Sequence, residues 1–254
     1  APSTTQLMNN AHYLTRSLRA VWHPCTQMKT HEWLPLKPIA RAQGVWLYDY
    51  EGKRYLDAIS SWWVNLFGHS NPRINAALKD QLDQLEHVIL AGFTHAPAIE
   101  LAEQLSTLTN NKLGHCFFAS DGSSAVEIAL KMSVHFWRNN GKPAKNKIVC
   151  LQGSYHGETA GALSISDLGL YKDAYTALLR ETITVPSPDA RLAEPGESAP
   201  ERAERAAAAL ENWLAQHNAE TAALIVEPLV QCATGMAMYD PLYLRRAREI
   251  CSRH

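Results

Sequence analysis

The stretch FASDGSSAVEIALKM, residues 118–132, decides how the fold of this chain is interpreted. An apolar run, HCFFA at 115–119, ends at a small polar turn, and we predict a strand there that leads into a helix over 123–140. Gly122 and Ser123 then lie at the carboxyl edge of a strand, where the first backbone N–H groups of a helix have no partner within the helix.

This turn has two interpretations. Its N–H groups and the positive end of the helix dipole favour an anion, most naturally a phosphate. The backbone can approach such a group closely at Gly122, and Ser123 can donate a hydroxyl hydrogen bond to it. Alternatively, Asp121 or Ser123 is an ordinary N-cap that holds no ligand. The spacing matches neither a Walker A loop nor the Gly-x-Gly-x-x-Gly fingerprint, so both interpretations stay open at this point.

Composition narrows the functional classes. A chain of 254 residues with 46% hydrophobic content can bury a sizeable core, and a net charge of −1 does not favour a nucleic-acid surface. The most apolar segment, AALIVEPLV at 222–230, is too short to span a bilayer. Five cysteines without a Cys-x-x-Cys spacing indicate reduced thiols in a cytoplasmic protein. The eleven histidines show no ligand spacing, so we predict no metal site.

Predicted strands and helices alternate along most of the chain. The predicted strands are 115–119, 147–151, 181–185 and 222–227, and the predicted helices are 123–140, 200–217 and one from about Pro241. Short apolar strands between helices predict an α/β fold with a mostly parallel sheet covered by helices. Upstream, β-rich segments predict a small N-terminal α+β segment. We expect an N-terminal segment over 1–65 and the first part of a large domain over 66–254, incomplete because the pattern stops before its next strand.

A second polar cluster, Gly153–Thr159, follows the strand 147–151. The right-handed crossover rule predicts that this strand neighbours 115–119, so that both turns open on the same edge of the sheet. Tyr155 could stack on a flat ring, and His156 could handle protons. The alternative is a glycine-rich turn with an exposed tyrosine.

Two further clusters are candidates. Glu227 ends the strand 222–227 beside a proline, where it could hydrogen-bond a cofactor, orient a second acid or simply cap the loop. In Ser60-Ser61-Trp62-Trp63 we expect an extended backbone, which would turn the two indole rings to opposite sides. One ring would then enter the core while the other lines a cavity, unless both pack in the core.

The order of these segments resembles a known family. GVWLYDYEGKRYLDAISSWW, FGHSNPRINAAL, ASDGSSAVEIALKM, SYHGETAGALS and LIVEPLVQ together resemble the class III, fold-type I, pyridoxal-phosphate-dependent aminotransferases, from about residue 20 to the end. Trp22-His23-Pro24 and the Ser-Ser-Trp-Trp motif resemble the branch that moves an amino group from S-adenosyl-L-methionine to 8-amino-7-oxononanoate in biotin biosynthesis. The resemblance implies a pyridoxal phosphate cofactor, ping-pong transamination and active sites built across a homodimer interface.

The resemblance also implies site residues. Gly122 and Ser123 match the turn that holds the cofactor phosphate, Tyr155 matches the aromatic residue that stacks on its ring, and His156 belongs to the same motif. Glu227 matches the acid near the aspartate that pairs with the pyridinium nitrogen.

Substrate contacts are implied for Trp62, Tyr155 and Cys25. Cys25 stands where the family usually has a tyrosine, which alters the expected polar contacts of the pocket.

The Schiff-base lysine, the pyridinium-binding aspartate and the carboxylate-reading arginine are expected beyond His254, so we expect no catalysis from this segment alone. Two alternatives remain. One is another class III enzyme, either an ω-amino-acid or ornithine-type transaminase or an aminomutase, against which Trp62 and Trp63 argue. The other is a non-catalytic α/β binding module.

Overall fold

The computed structural model describes residues 9–254, which form two compact units. The first unit ends at Leu108, and the second covers Thr109–His254. Residues 1–8, part of the predicted N-terminal segment, lie outside the described residues. The division into 1–65 and 66–254 stays a prediction.

The first unit is built around a small antiparallel sheet, as the sequence predicted for the N-terminal segment. Its strands are β1 (Ile39–Gln43), β2 (Trp46–Asp49) and β3 (Arg54–Leu56), in the order β1-β2-β3. Its helices are α1 (Asn10–Ala20), a 3-10 helix (Met28–Glu32), the single left-handed turn α2 (Ser60–Trp63), α3 (Pro72–Leu82) and α4 (Ala96–Leu108). The Asn71 side chain caps α3 and Pro72 occupies its first position, as their residue types favour.

The second unit contains the alternating part of the chain. Its helices are α5 (Gly122–Asn139), α6 (Ala160–Ser164), α7 (Gly169–Lys172), α8 (Ala199–His217) and α9 (Leu242–Arg253), with 3-10 helices at Asp173–Leu178 and Ala190–Leu192. Its strands are β4 (Lys147–Leu151), β5 (Ile183–Val185), β6 (Thr221–Leu224), β7 (Val230–Gln231) and β8 (Ala237–Met238). A capping box between Ser198 and Glu201 starts α8.

The main sheet of this unit is parallel, with β4 between β5 and β6. Side chains along β4 alternate between its two faces. Val149 and Leu151 pack in a core with α8 and α9, whereas Ile148 and Cys150 pack in a second cluster that includes Val126 of α5. Both faces of the sheet are therefore covered by helices, which confirms the predicted α/β class.

The strand predicted at 115–119 is wrong, because these residues form no strand. Both edges of β4 are taken by β5 and β6, so the predicted pairing of 147–151 with 115–119 is also wrong. An apolar run of strand-forming residues becomes a strand only where a neighbour pairs with it. Phe117 in this run is 74% exposed.

A candidate phosphate and cofactor site

The first turn of α5 is organised by Asp121. One carboxylate oxygen of Asp121 accepts the backbone N–H of Ser124 at 2.8 Å, and the other accepts the hydroxyl groups of Ser124 at 2.7 Å and Ser120 at 3.1 Å. These bonds, with the Ser124 backbone N–H first, hold the pKa of Asp121 below its usual value. The sequence left either Asp121 or Ser123 as the N-cap of α5. The structure shows that Asp121 is the N-cap, so Ser123 is not needed for that role.

Ser123 instead faces the glycine-rich loop. Its Oγ accepts the backbone N–H of Glu158 at 3.2 Å. Gly157 lies beside it with φ +120°, and a Cβ built on Gly157 would lie 2.1 Å from Ser123 Oγ. Only a residue without a side chain permits this approach. Within residues 9–254 the Ser123 hydroxyl donates to no acceptor and the Gly122 N–H makes no hydrogen bond, so both donors remain available to a bound group.

Glu127, one turn further along α5, anchors the same loop. Its Oε1 accepts the Thr159 hydroxyl and the Gly161 N–H, both at 2.7 Å, and the Ala162 N–H at 3.3 Å. The Thr159 hydrogen bond is the largest cause of a lowered pKa at Glu127. A Cβ on Gly161 would lie 2.3 Å from this carboxylate. Glu127 carries no sequence signal for this role, because nothing in its local spacing indicates a loop 32 residues away.

Tyr155 is held at its backbone and at its ring. Its N–H donates to Glu227 Oε2 at 2.9 Å, and its hydroxyl donates to Glu158 Oε1 at 2.7 Å. The other carboxylate oxygen of Glu227 accepts the Cys232 N–H at 2.9 Å. Burial raises the pKa of Glu227 despite these two bonds. Glu227, the predicted cofactor-binding acid, therefore bonds directly to the backbone of the predicted stacking residue.

His156 is shielded from solvent at its ring. Its backbone N–H donates to Ser166 Oγ at 2.9 Å, while its Nε2 is buried without a hydrogen-bond partner within the described residues. Burial lowers the pKa of His156 to about 4, so the imidazole is neutral near pH 7. A neutral, unpartnered ring is a poor proton carrier at that pH.

The glycine-rich loop has a second support that the sequence did not indicate. Asp167 Oδ2 accepts the Gly153 N–H at 2.9 Å, and the backbone N–H of Asp167 donates to the Ser154 carbonyl at 2.8 Å. Asp167 therefore holds the Gly153 end of the loop, and Glu127 holds its Thr159 end.

Trp62 and Cys25 lie in the first unit. The extended backbone predicted for Ser60–Trp63 is wrong, because all four residues have positive φ angles of 47° to 77°. The indole rings of Trp62 and Trp63 do not divide between core and cavity; the two residues are 67% and 66% exposed. Cys25 is also exposed, with φ +55°.

The arrangement in the second unit fits a phosphorylated, aromatic cofactor. The first turn of α5 offers a backbone N–H and a hydroxyl to an anion, and a Cβ built on Gly122 meets no atom of residues 9–254 within 4 Å. Tyr155 supplies an aromatic ring whose hydroxyl is already bonded. Among residues 9–254 no group of three or more potential ligands is placed to hold a metal ion. No helix in that range is long and apolar enough to cross a membrane.

Comparison with known proteins defines the class. The sequence profile "Aminotransferase class-III" matches residues 28–254. The chain belongs to the class III aminotransferases, a family that uses pyridoxal phosphate.

Within this family, the chain is similar in sequence to enzymes with one shared name. The chain is 47% identical over 236 residues to adenosylmethionine-8-amino-7-oxononanoate aminotransferase of Helicobacter pylori, covering 92% of this chain and 51% of that protein. It is 40% identical over 239 residues to the enzyme of the same name from Geobacter sulfurreducens, covering 93% and 52%. The chain spans about half the length of the curated relatives it matches. The predicted resemblance to this branch is confirmed.

Solved structures agree on the fold. The adenosylmethionine-8-amino-7-oxononanoate aminotransferase from Methanocaldococcus jannaschii superimposes with a TM-score of 0.85 at 30% identity, covering 95% of this chain and 52% of that one. The omega transaminase from Pseudomonas jessenii in complex with PMP gives 0.86 at 30% identity, covering 94% and 53%. The aminotransferase fold predicted from the sequence motifs is thereby confirmed.

Proposed function

We propose that the protein containing this chain is a pyridoxal-phosphate-dependent aminotransferase that moves an amino group from S-adenosyl-L-methionine to 8-amino-7-oxononanoate. The product would be 7,8-diaminononanoate, in biotin biosynthesis. The choice of substrates is supported above all by the 47% identity to the Helicobacter pylori enzyme of that name. The choice of cofactor is supported by the Ser123 hydroxyl and the Tyr155 ring, which belong to one hydrogen-bonded assembly.

Each residue of this assembly has a proposed task. The Gly122 N–H and the Ser123 hydroxyl would bind the phosphate at the positive end of α5. Tyr155 would stack on the flat ring of the cofactor, with its backbone held by the hydrogen bond to Glu227. His156 belongs to the same loop and, being neutral, adds no charge beside the ring. When bound, pyridoxal phosphate would supply the electron sink that side chains lack.

Substrate recognition is proposed for Trp62, Tyr155 and Cys25. The exposed indole of Trp62 or the half-buried phenol ring of Tyr155 can contact the apolar chain of 8-amino-7-oxononanoate or the adenosine ring of the donor. Cys25 offers a smaller and weaker hydrogen-bonding group than the tyrosine usual in the family, so it would leave more room at that point of the pocket. We also propose a homodimer, which the family resemblance implies, and a cytoplasmic location, which the cysteine pattern indicates.

An amine-donor panel tests this function. The intact gene product is incubated with pyridoxal phosphate and 8-amino-7-oxononanoate, and each candidate donor is added separately. We expect 7,8-diaminononanoate to form with S-adenosyl-L-methionine. Transamination with ornithine or an ω-amino acid but none with S-adenosyl-L-methionine would show another class III specificity and reject the proposal.

A further inference from the structure

The turn that carries Trp62 has an unusual backbone. Ser60, Ser61, Trp62 and Trp63 all have φ angles between 47° and 77°. Non-glycine residues visit this left-handed region as isolated residues rather than in runs, because Cβ crowds the backbone there. Four in succession need compensating contacts from elsewhere in the unit, and strained backbone of this kind is concentrated at functional sites.

Asp57 supplies the compensating contacts. One carboxylate oxygen accepts the Ser61 N–H at 2.8 Å, and the other accepts the Ser61 hydroxyl at 2.7 Å. His69 Nε2 lies 2.7 Å from that second oxygen. The Asp57 and His69 side chains are only 6% and 15% exposed, so the pair is shielded from water. The Ser61 hydrogen bonds, followed by that of His69, lower the pKa of Asp57 to about 2, so it is ionised at any working pH.

The backbones of both residues are anchored at one place on the antiparallel sheet. The Asp57 N–H donates to the Val45 carbonyl at 2.9 Å. His69 exchanges two backbone hydrogen bonds with Gly44, of 2.8 Å and 3.0 Å. Gly68 passes so close to Gly44 that an added Cβ would lie 3.1 Å from the Gly44 Cα. The loop from 57 to 69 therefore leaves and rejoins the sheet at adjacent residues, and the side chains of its two ends close it.

We propose that Asp57 and His69 are positioning residues, which hold the Ser60–Trp63 turn in its left-handed form and so fix the orientation of Trp62 toward the substrate. This inference rests on the proposed function for its substrate, because that function assigns substrate contact to Trp62. The structural part of the inference, that the turn depends on Asp57 and His69, is independent of the proposed function. Neither residue touches substrate in this proposal; both act through Trp62.

A double-mutant cycle tests the proposal on the intact gene product loaded with pyridoxal phosphate. Asp57→Asn keeps the shape of the side chain but replaces one acceptor oxygen by a donor. We expect it to raise KM for 8-amino-7-oxononanoate about tenfold, with kcat and cofactor affinity changed less than about threefold, since small misplacements of contact groups have effects of this order. In a Trp62→Ala background the same substitution should change KM less than about twofold.

Ser60→Ala is the matched control, because Ser60 shares the positive φ but its hydroxyl makes no hydrogen bond within residues 9–254. It should leave KM unchanged. His69→Gln serves as the second variant if Asp57→Asn does not fold, since it leaves the Ser61 bonds intact. A KM effect of Asp57→Asn that persists at full size in the Trp62→Ala background overturns the proposal, and so does the lack of any KM effect.

A spectroscopic readout separates this inference from the proposed function. The near-ultraviolet circular dichroism difference between the parent and Trp62→Phe reports how rigidly Trp62 is held. We expect Asp57→Asn and His69→Gln to abolish this difference signal and Ser60→Ala to preserve it. If the signal survives in Asp57→Asn, the proposal that Asp57 holds the Ser60–Trp63 turn is refuted. If Trp62→Ala leaves KM unchanged, the substrate role of Trp62 in the proposed function is refuted instead.

Discussion

The Oε2 atom of Glu227 accepts the backbone N–H of Tyr155 at 2.9 Å, although 72 residues separate them in the chain. The other oxygen of the same carboxylate accepts the Cys232 N–H at 2.9 Å. One half-buried acid thus ties the loop that follows β4 to the loop that follows β6. This tie holds the backbone from which the Tyr155 ring projects, so we expect substitution of Glu227 to affect the site as well as stability.

Glu227→Gln should destabilise the protein by about 1–3 kcal/mol, because an amide can accept only one of the two N–H groups and leaves the other unpaired. Cofactor affinity should fall as well, since the Tyr155 backbone is released. The measurement is urea unfolding together with a pyridoxal phosphate titration. Glu220→Gln is the control: Glu220 makes an exposed ion pair with Lys147, so its loss should cost less than about 1 kcal/mol. Equal effects of the two substitutions would contradict this account.

Gly157→Ala should lower the free energy of unfolding by more than its positive φ alone explains. The added Cβ would meet Ser123 Oγ at 2.1 Å, so the loop or the first turn of α5 must move. Gly196→Ala is the matched control, because Gly196 has φ +87° but an added Cβ there would meet no atom of the described residues within 4 Å. We expect Gly157→Ala to lower the free energy of unfolding by about 1–3 kcal/mol more than Gly196→Ala. Similar losses in denaturant unfolding would show that the two elements are not in contact.

His156 should make stability depend on pH. An unfolded histidine binds a proton near pH 6.5, but His156 in the fold does so only at about pH 4. Between these values the unfolded state binds more protons, so this residue's contribution is complete above about pH 6.5 and is lost as the pH falls toward 4. From pH 7 to pH 4 the parent should lose about 3 kcal/mol more than His156→Gln. Parallel stability curves for the two proteins would mean that His156 is not buried in its neutral form.

The sequence predicted the periodic, well-capped elements closely. The helix expected over 123–140 is observed at Gly122–Asn139, and that expected over 200–217 at Ala199–His217. Capping residues and 3.6-residue periodicity are local properties, so a single chain reveals them. Strand pairing is not local, and for that reason residues 115–119 were wrongly placed beside β4.

The sequence predicts that the Gly122–Ser123 turn and the Tyr155 loop open on the same edge of the sheet, but it does not predict the hydrogen bonds that join them. Gly122, Ser123, Tyr155 and Glu227 are conspicuous in the sequence because small, aromatic or acidic residues follow apolar runs. The Glu127 carboxylate joins α5 to the glycine-rich loop, but it lies in the middle of a helix and no sequence pattern marks it. The Ser60–Trp63 turn was wrongly expected to be extended, because the Asp57 carboxylate that bends it lies outside the motif.

The central claim is that the first turn of α5 is the phosphate-binding site of pyridoxal phosphate, and Ser123→Ala tests it most directly. The measurement is the dissociation constant of pyridoxal phosphate for the intact gene product. Ser133→Ala is the control on the same helix, since within residues 9–254 the Ser133 hydroxyl bonds only to the Ala129 carbonyl. Loss of one hydrogen bond to a charged group, about 1.5–3 kcal/mol, predicts an affinity about 10- to 100-fold weaker for Ser123→Ala. Ser133→Ala should bind like the parent. An unchanged dissociation constant for Ser123→Ala would contradict the claim.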